Sequence, residues 1–159
     1  SAKLVSHVDG RSAGDYLFIT LARRICMAGD TPMTPQPPLR GVIFFAHRSR
    51  DPLWRMPIEA VATQLQAQLP GALCACAYLE LTTPDLPTAV ADLIQRGCQH
   101  LTVLPMFLGT GRHARQDLPL LVQQLQAPYP EVTFHIATAV GEDERMTRLM
   151  ADIAQQHLE

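Results

Sequence analysis

Two histidines and one glutamate stand where apolar segments of the chain give way to polar ones. His47 follows an apolar run in FFAHRSRDP, His113 lies in GTGRHARQD, and Glu80 ends the run CACAYLE. Imidazole and carboxylate are ordinary ligands of divalent transition metals, and imidazole is also a general base near neutral pH. These residues therefore predict a metal-binding or proton-transfer site, provided that the fold brings them together.

The glycine-rich segment before His113 narrows the class of ligand. Gly109 and Gly111 have no side chain, so we expect the backbone there to approach a flat ligand closely. The segment lacks the Lys-Ser/Thr pair of a P-loop and the third glycine of a dinucleotide site. HRSRDP is likewise not the Ser/Thr/Gly-rich phosphate loop of a flavodoxin, so a nucleotide or flavin domain is disfavoured.

The composition is that of a single globular domain. The 159 residues are 47% hydrophobic and 18% charged, with a formal net charge of −2, so no basic excess favours nucleic acid as a partner. No apolar run approaches the roughly 20 residues of a membrane span. The N-terminus also lacks a signal-peptide pattern, and we expect no membrane partner and a cytoplasmic location.

The four cysteines, Cys26, Cys74, Cys76 and Cys98, form no CxxC pair. In a cytoplasmic protein we expect free thiols, which pack as small hydrophobic groups. A metal site with thiolate ligands stays open as an alternative.

The first 40 residues differ in pattern from the rest. Apolar spacing predicts an amphipathic helix at 15–28, and four prolines between Pro32 and Pro38 predict a linker at 30–38. We therefore divide the chain into an N-terminal extension, 1–40, and an α/β domain, 41–159. Capping of the sheet, support of a dimer and covering of the cleft are all open roles for the extension.

From residue 41 onward, short apolar segments alternate with segments of helical spacing. We predict strands at 41–47, 72–81, 100–108 and 132–140, and helices at 57–69, 85–96, 117–126 and 142–157. Asp117 is expected to cap the third helix, with Pro119 in its first turn. The pattern predicts an α/β fold: one three-layer, flavodoxin-like module with a four-stranded parallel sheet of order 2-1-3-4 and helices on both faces.

This topology places the candidate residues. Ligands of open α/β sheets bind beyond the carboxyl ends of the strands, where the strand order reverses. In the order 2-1-3-4 that point lies between the first and third strands, so His47 and His113 are expected to face one crevice, with Glu80 nearby. His100 precedes the third strand and His135 lies within the fourth, so both are expected outside it.

Three segments together resemble a known family. AHRSRDP, AYLELTTPDLPTAV and VLPMFLGTGRHARQDLP are similar to motifs of the class II chelatases, and most closely to those of the short-form, CbiX-like sirohydrochlorin cobaltochelatases. The resemblance extends from about residue 41 to the C-terminus and does not include the first 40 residues.

The resemblance implies ATP-independent insertion of a divalent metal into sirohydrochlorin, in cobalamin or other tetrapyrrole biosynthesis. His47 and His113 match the family's two active-site histidines, which bind the metal and accept the pyrrole protons. Glu80 matches an acidic position, either a third ligand or a proton acceptor. Cobalt is the expected metal substrate, with iron or nickel as alternatives, and no permanently bound cofactor is expected. Single modules of this family work as homodimers.

We expect substrate contacts from the residues around both histidines: Arg48, Ser49, Arg50, Gly109, Thr110, Gly111 and Arg112. Arg48 and Arg112 depart from the family's usual His-Gly-Ser-Arg and Gly-Gly-His, because each stands where glycine is usual. In one interpretation the two arginines clamp carboxylates of the substrate. In the other, their charge disfavours the metal, and the chain is a divergent paralogue that binds or carries a tetrapyrrole or a metal.

Overall fold

A computed structural model describes residues 37–47, 51–79 and 83–158, except for the side chains of Pro52 and of residues 112–114. The predicted helix at 15–28 and most of the predicted linker at 30–38 lie outside these residues. So do four of the candidate site residues: Arg48, Ser49, Arg50 and Glu80.

The four predicted strands form one parallel sheet. Strands β1 (Arg40–Ala46), β2 (Leu73–Tyr78), β3 (His100–Pro105) and β4 (Thr133–Ile136) are arranged in the order β2-β1-β3-β4, which confirms the predicted α/β class and topology. The second, third and fourth strands end earlier than predicted, at Tyr78, Pro105 and Ile136. The carboxyl ends of β1, β2 and β3 lie at one edge of the sheet.

Within the described residues, four α-helices and two 3₁₀ helices connect and follow the strands. The α-helices are α1 (Met56–Gln68), α2 (Leu86–Gln95), α3 (Arg112–Gln126) and α4 (Glu144–Gln155), and the 3₁₀ helices are Pro52–Arg55 and Val140–Glu142. Local signals explain the ends of α2. Asp85 caps its first turn by accepting the Thr88 N–H at 2.9 Å, and Gly97 ends it with a φ of 90°, which glycine adopts without strain.

The third helix begins earlier than predicted. It starts at Arg112 instead of Asp117, and Pro119 lies inside it instead of in its first turn. The Arg115 N–H already donates to the Gly111 carbonyl at 3.2 Å. Burial of Leu118 and Val122 in the core offsets the hydrogen bond that proline removes. As a result, His113 belongs to the first helical turn and not to a loop.

One face of the sheet carries the main core. Ile43 and Val103 point toward this face and pack with Val90 and Leu93 of α2 and with residues of α3. Side chains alternate between the two faces of a strand, so Val42 and Phe44 point the other way, toward α1. The helices thus lie on both faces, as predicted.

The second face is only partly covered. Beside α1, an open groove of about 610 Å³ runs along Val42, Phe44 and Leu104. Helix α4 has apolar residues at helical spacing, yet it contains no buried residue, and Leu149 and Ile153 are 52% and 49% exposed. An apolar helix face and an apolar sheet face therefore both remain accessible in the described part of the chain.

Candidate functional site

His47 directly follows β1 and is exposed at the carboxyl edge of the sheet. Its ring centroid lies 4.3 Å from that of Phe107, with an interplanar angle of 35°. Phe107 is only 3% exposed and belongs to the core. The imidazole therefore rests on a fixed aromatic surface and stays accessible, as binding a metal or accepting a proton requires.

The 3₁₀ helix after His47 is fixed on two sides. Its first turn is capped by the carboxylate of Asp51. The indole N–H of Trp54 donates to the carbonyl oxygen of His47 at 3.3 Å, and the Arg55 guanidinium donates to the carbonyl oxygen of Thr83 at 3.4 Å. The segment is thus connected both to the end of β1 and to the chain that follows β2.

The connection from β3 to α3 is held in place by backbone contacts. The Met106 N–H donates to the Phe45 carbonyl at 2.8 Å, and the Gly141 N–H donates to the Phe107 carbonyl at 2.9 Å. A Cβ atom at Gly141 would collide with the backbone of Leu108. Sequence reasoning missed Gly141, because a close approach between distant segments leaves no local pattern.

Gly109 and Gly111 stand at the surface of this connection. A Cβ atom added at either position would have no heavy atom of the described residues within 4 Å. The described part of the fold therefore has no steric need for glycine there. That the space beside these glycines admits a flat ligand stays a prediction.

Thr110 lies between these glycines and lines a cavity of about 280 Å³, together with Arg115 and Glu142. Its hydroxyl oxygen is buried and has no hydrogen-bond partner in the described part of the chain. Arg115 carries a charge into the same cavity and was missed by sequence reasoning, because nothing distinguishes it locally from a surface arginine. The cavity thus combines an unsatisfied hydroxyl group with a cation and a carboxylate of opposite charge, which suits a polar group.

The second histidine lies near the same edge of the sheet. Arg112 and His113 form the first residues of α3, which follows β3, and β3 pairs directly with β1. Their side chains are outside the described part of the structure. The backbone of His113 thus follows the strand that pairs with the strand preceding His47. That the two imidazoles face one crevice stays a prediction.

The segment of Glu80 starts beside His47. The Leu79 N–H donates to the carbonyl oxygen of Ala46 at 2.9 Å, which fixes the residue before Glu80 next to the residue before His47. Glu80 itself lies outside the described residues, as do Arg48, Ser49 and Arg50. Among the described side chains, no three metal-ligating groups converge. The predicted trio, of which only His47 is fully described, stays a prediction.

A buried tyrosine at the end of β2 was also missed from the sequence. Tyr78 is 2% exposed, and its hydroxyl group has no hydrogen-bond partner of good geometry among the described residues. Burial, together with the nearby Cys76 and Glu59, raises the pKa of Tyr78 to about 12. The guanidinium of Arg55 lies 5.9 Å from the centre of its ring. This neutral, buried side chain therefore lies at the end of β2, directly before Leu79.

The described cysteines are free thiols: Cys74, Cys76 and Cys98. Burial is the main reason that the pKa of Cys76 is raised to about 11. Burial also raises the pKa values of Cys74 and Cys98. Thiols with raised pKa values stay protonated near neutral pH and are poor metal ligands. The alternative of a thiolate metal site is therefore disfavoured at these three residues.

Two further described histidines take the strand positions predicted for them. His100 is the first residue of β3, at the amino end of the strand, and His135 lies within β4. That neither belongs to the site stays a prediction.

Comparison with known proteins identifies the chain's relatives. A sequence model of the CbiX family matches residues 41–157. The sirohydrochlorin cobaltochelatase of Sulfolobus acidocaldarius is 25% identical over 118 residues, which cover 74% of this chain and 92% of that protein. The sirohydrochlorin ferrochelatase of Bacillus subtilis is 24% identical over 109 residues, which cover 69% of this chain but only 42% of that longer protein.

Solved structures agree with the fold. A CbiX protein of cobalamin biosynthesis from Marinobacter aquaeolei superposes with a TM-score of 0.66 and is 32% identical, over 77% of this chain and 96% of that one. The sirohydrochlorin chelatase SirB of Bacillus subtilis subspecies spizizenii, solved with cobalt, has a TM-score of 0.60 at 24% identity, over 73% of this chain and 51% of that one. The latter likeness concerns the fold alone.

Proposed function

The chain belongs to the CbiX family, and we propose on this premise that it is a chelatase that inserts a divalent metal into sirohydrochlorin. One observation carries the proposal. His47 is exposed at the edge where β1 ends, and its ring rests on Phe107 in the connection that leads to His113. Relatives named as sirohydrochlorin cobaltochelatase and ferrochelatase support the reaction class.

In the proposed reaction, neutral imidazoles of His47 and His113 hold the incoming metal at the carboxyl edge of the sheet. Two metal–nitrogen bonds replace two pyrrole N–H bonds, so two protons leave the macrocycle and need acceptors. The histidines accept these protons, and Glu80 acts as a third ligand or a further acceptor. No step consumes ATP.

The substrate carries many carboxylates around a flat ring. We assign Arg48, Ser49, Arg50 and Arg112 to the carboxylates, because a guanidinium group binds a carboxylate with two hydrogen bonds. Gly109, Thr110 and Gly111 let the backbone approach the ring. The cavity lined by Thr110, Arg115 and Glu142 supplies a further place for a polar group.

Cobalt(II) is the proposed metal, with iron(II) and nickel(II) as the alternatives. The cobaltochelatase of Sulfolobus acidocaldarius, of which the match covers 92%, supports cobalt. The match with a ferrochelatase keeps iron as the second candidate. Affinity order alone does not decide selectivity between such metals in cells.

The test is a spectroscopic assay. Metal-free sirohydrochlorin is mixed anaerobically with the protein and with cobalt(II), iron(II) or nickel(II), and the change in absorbance is followed. We expect a rate above the uncatalysed reaction, and we expect His47→Ala and His113→Ala each to lower it by a factor of about 100 or more. A wild-type rate equal to the uncatalysed one with all three metals would reject the chelatase.

The alternative function is a carrier that binds a tetrapyrrole or a metal without turnover, and the departures at Arg48 and Arg112 favour it. In a carrier, His113→Ala leaves sirohydrochlorin binding intact and there is no catalysis to lose. Binding measured by absorbance titration, beside the rate assay, separates the two functions.

We further propose that the chain works as a homodimer in the cytoplasm. The accessible apolar face of α4 and the open groove beside α1 offer surfaces for a second copy. The free thiols of the described cysteines agree with a reducing compartment. Within the described residues, no helix is long and apolar enough to cross a membrane.

A further inference from the structure

In the four-residue segment 53–56, which ends the 3₁₀ helix and begins α1, three large apolar side chains point into solvent. Leu53, Trp54 and Met56 are 67%, 53% and 58% exposed. Single exposed apolar residues are common, but a cluster of this kind marks a surface that binds something. The proposed metal and proton chemistry uses none of these three side chains.

The backbone holds this cluster outward. Asp51 accepts the Leu53 N–H at 2.9 Å through its carboxylate and the Trp54 N–H at 3.1 Å through its carbonyl oxygen. On the far side, Arg55 donates to the Thr83 carbonyl. The exposure of the cluster therefore follows from a capped and anchored turn, and not from a loose end of the chain.

The cluster is continuous with the site around His47. The indole N–H of Trp54 donates to the carbonyl oxygen of His47 at 3.3 Å. The ring of His47 rests on Phe107, and the next residue, Leu108, is 70% exposed. Trp54 thus adjoins the backbone of His47, and the imidazole rests on the connection between β3 and α3 that continues into Leu108.

We propose that Leu53, Trp54, Met56 and Leu108 form an apolar rim that receives the flat macrocycle of the substrate beside His47, with Trp54 as the principal contact. This inference rests on the proposed function. A macrocycle combines an apolar ring with charged substituents, so it needs an apolar surface next to cationic groups. An aromatic side chain suits the ring because two π systems pack with a preferred offset or edge-to-face geometry.

The position of the rim favours the substrate over a second protein chain as its occupant. Trp54 contacts the carbonyl oxygen of His47, and Leu108 follows Phe107, on which the imidazole rests. A protein seated on Trp54 and Leu108 would therefore cover the imidazole. The exposed apolar face of α4 is a separate surface that a second copy can use. The rim is therefore assigned to the substrate.

The test compares affinities for metal-free sirohydrochlorin, measured by anaerobic absorbance titration without metal. We expect Trp54→Ala to weaken binding about tenfold or more, Trp54→Phe to weaken it less than about threefold, and Leu108→Ala to weaken it measurably. The matched control is Leu120→Ala, since Leu120 is 58% exposed on α3 and lies outside the rim. Calorimetric titration with cobalt(II) alone should give wild-type affinity in all four variants.

Three results would overturn the proposal. If the wild type binds sirohydrochlorin and Trp54→Ala binds it equally well, the rim is wrong while the proposed function stands. If Trp54→Phe and Trp54→Ala lose tetrapyrrole and cobalt affinity alike, Trp54 acts only by positioning His47. If the wild type binds no sirohydrochlorin, the proposed function fails and the rim with it.

Discussion

At the scale of single residues, the site depends on groups with little chemistry of their own. In the proposed site, His47 supplies the reactive imidazole, but Phe107 fixes the plane against which it rests. The flanking glycines, Gly109 and Gly111, are not required by the described part of the fold, since a methyl group at either position meets none of its heavy atoms within 4 Å. A requirement for glycine at these positions would come from the substrate.

Gly109 offers a direct test of this argument. We expect Gly109→Ala to leave the free energy of unfolding within about 0.5 kcal/mol of the wild type, because the added methyl group enters open space. If the macrocycle approaches this backbone, the same variant should raise KM for sirohydrochlorin several-fold. Urea unfolding and steady-state kinetics measure the two effects, and an unchanged KM would mean that the ring lies elsewhere.

Tyr78 and Cys76 predict how stability depends on pH. Their pKa values in the folded protein are raised to about 12 and about 11 by burial and neighbouring charge, above their ordinary values of 10 and 9. The unfolded chain therefore loses these protons first. The contribution of both groups is complete below pH 9 and declines as the pH rises toward 12.

We expect the urea midpoint to fall between pH 9 and pH 11, and the double variant Cys76→Ala, Tyr78→Phe to flatten this fall. Urea titrations at pH 8, 9, 10 and 11 measure the effect. Leu120→Ala serves as the control, because this exposed residue of α3 does not titrate. An equal decline in the double variant would assign the alkaline loss to other groups.

At the scale of elements, the site is assembled from segments that leave three parallel strands together. The Leu79 N–H donates to the Ala46 carbonyl, and the Met106 N–H donates to the Phe45 carbonyl. These backbone hydrogen bonds connect the ends of β2 and β3 to the end of β1. The 3₁₀ helix Val140–Glu142 then holds the connection after β3 from the side of β4. Elements that carry no candidate ligand thus position those that do.

Gly141→Ala tests this support. Because a Cβ atom at this position would collide with the Leu108 backbone, the connection must shift, and we expect a loss of about 1–3 kcal/mol in stability. Turnover should fall as well, since the shift displaces Phe107 and the start of α3. Urea unfolding and the chelatase assay report the two losses, with Gly109→Ala as the glycine control for stability. A variant with wild-type stability would show that the contact relaxes without cost.

Sequence patterns predicted the elements better than their ends. Apolar runs and the turn residues between them give the sheet, its order and the edge where His47 lies, since these depend on local periodicity and on the rules of parallel topology. The predicted start of α3 was wrong because its first hydrogen bond already forms between the Arg115 N–H and the Gly111 carbonyl, and Pro119 is accommodated inside the helix. Gly141, Tyr78 and Phe107 were missed because long-range contacts define their roles.

At the scale of the whole molecule, α4 is the unusual element. Its apolar residues Met146, Leu149, Met150 and Ile153 recur at helical spacing, yet none is buried. Exposed apolar area of this kind favours association, which agrees with the proposed homodimer.

We expect the double variant Leu149→Ser, Ile153→Ser to weaken association at least tenfold, because both side chains are half exposed and polar groups resist burial. Sedimentation velocity over a range of protein concentrations measures this effect. Arg148→Ser is the control on the same helix, since its side chain is 80% exposed and makes only a 3.8 Å ion pair. Dimerisation of equal strength in the double variant would place the interface elsewhere.

The contact between Gly141 and Leu108 makes two neighbouring positions unequal under mutation. The backbone of Leu108 occupies the space that a side chain at residue 141 would need, whereas the side chain of Leu108 takes no part in this contact. In a library scored only for folding, residue 108 should therefore accept many side chains, whereas residue 141 should accept almost none. When the same library is scored for growth that depends on chelatase activity, residue 108 should accept few side chains. The difference between the two screens would separate the requirements of the fold from those of the substrate.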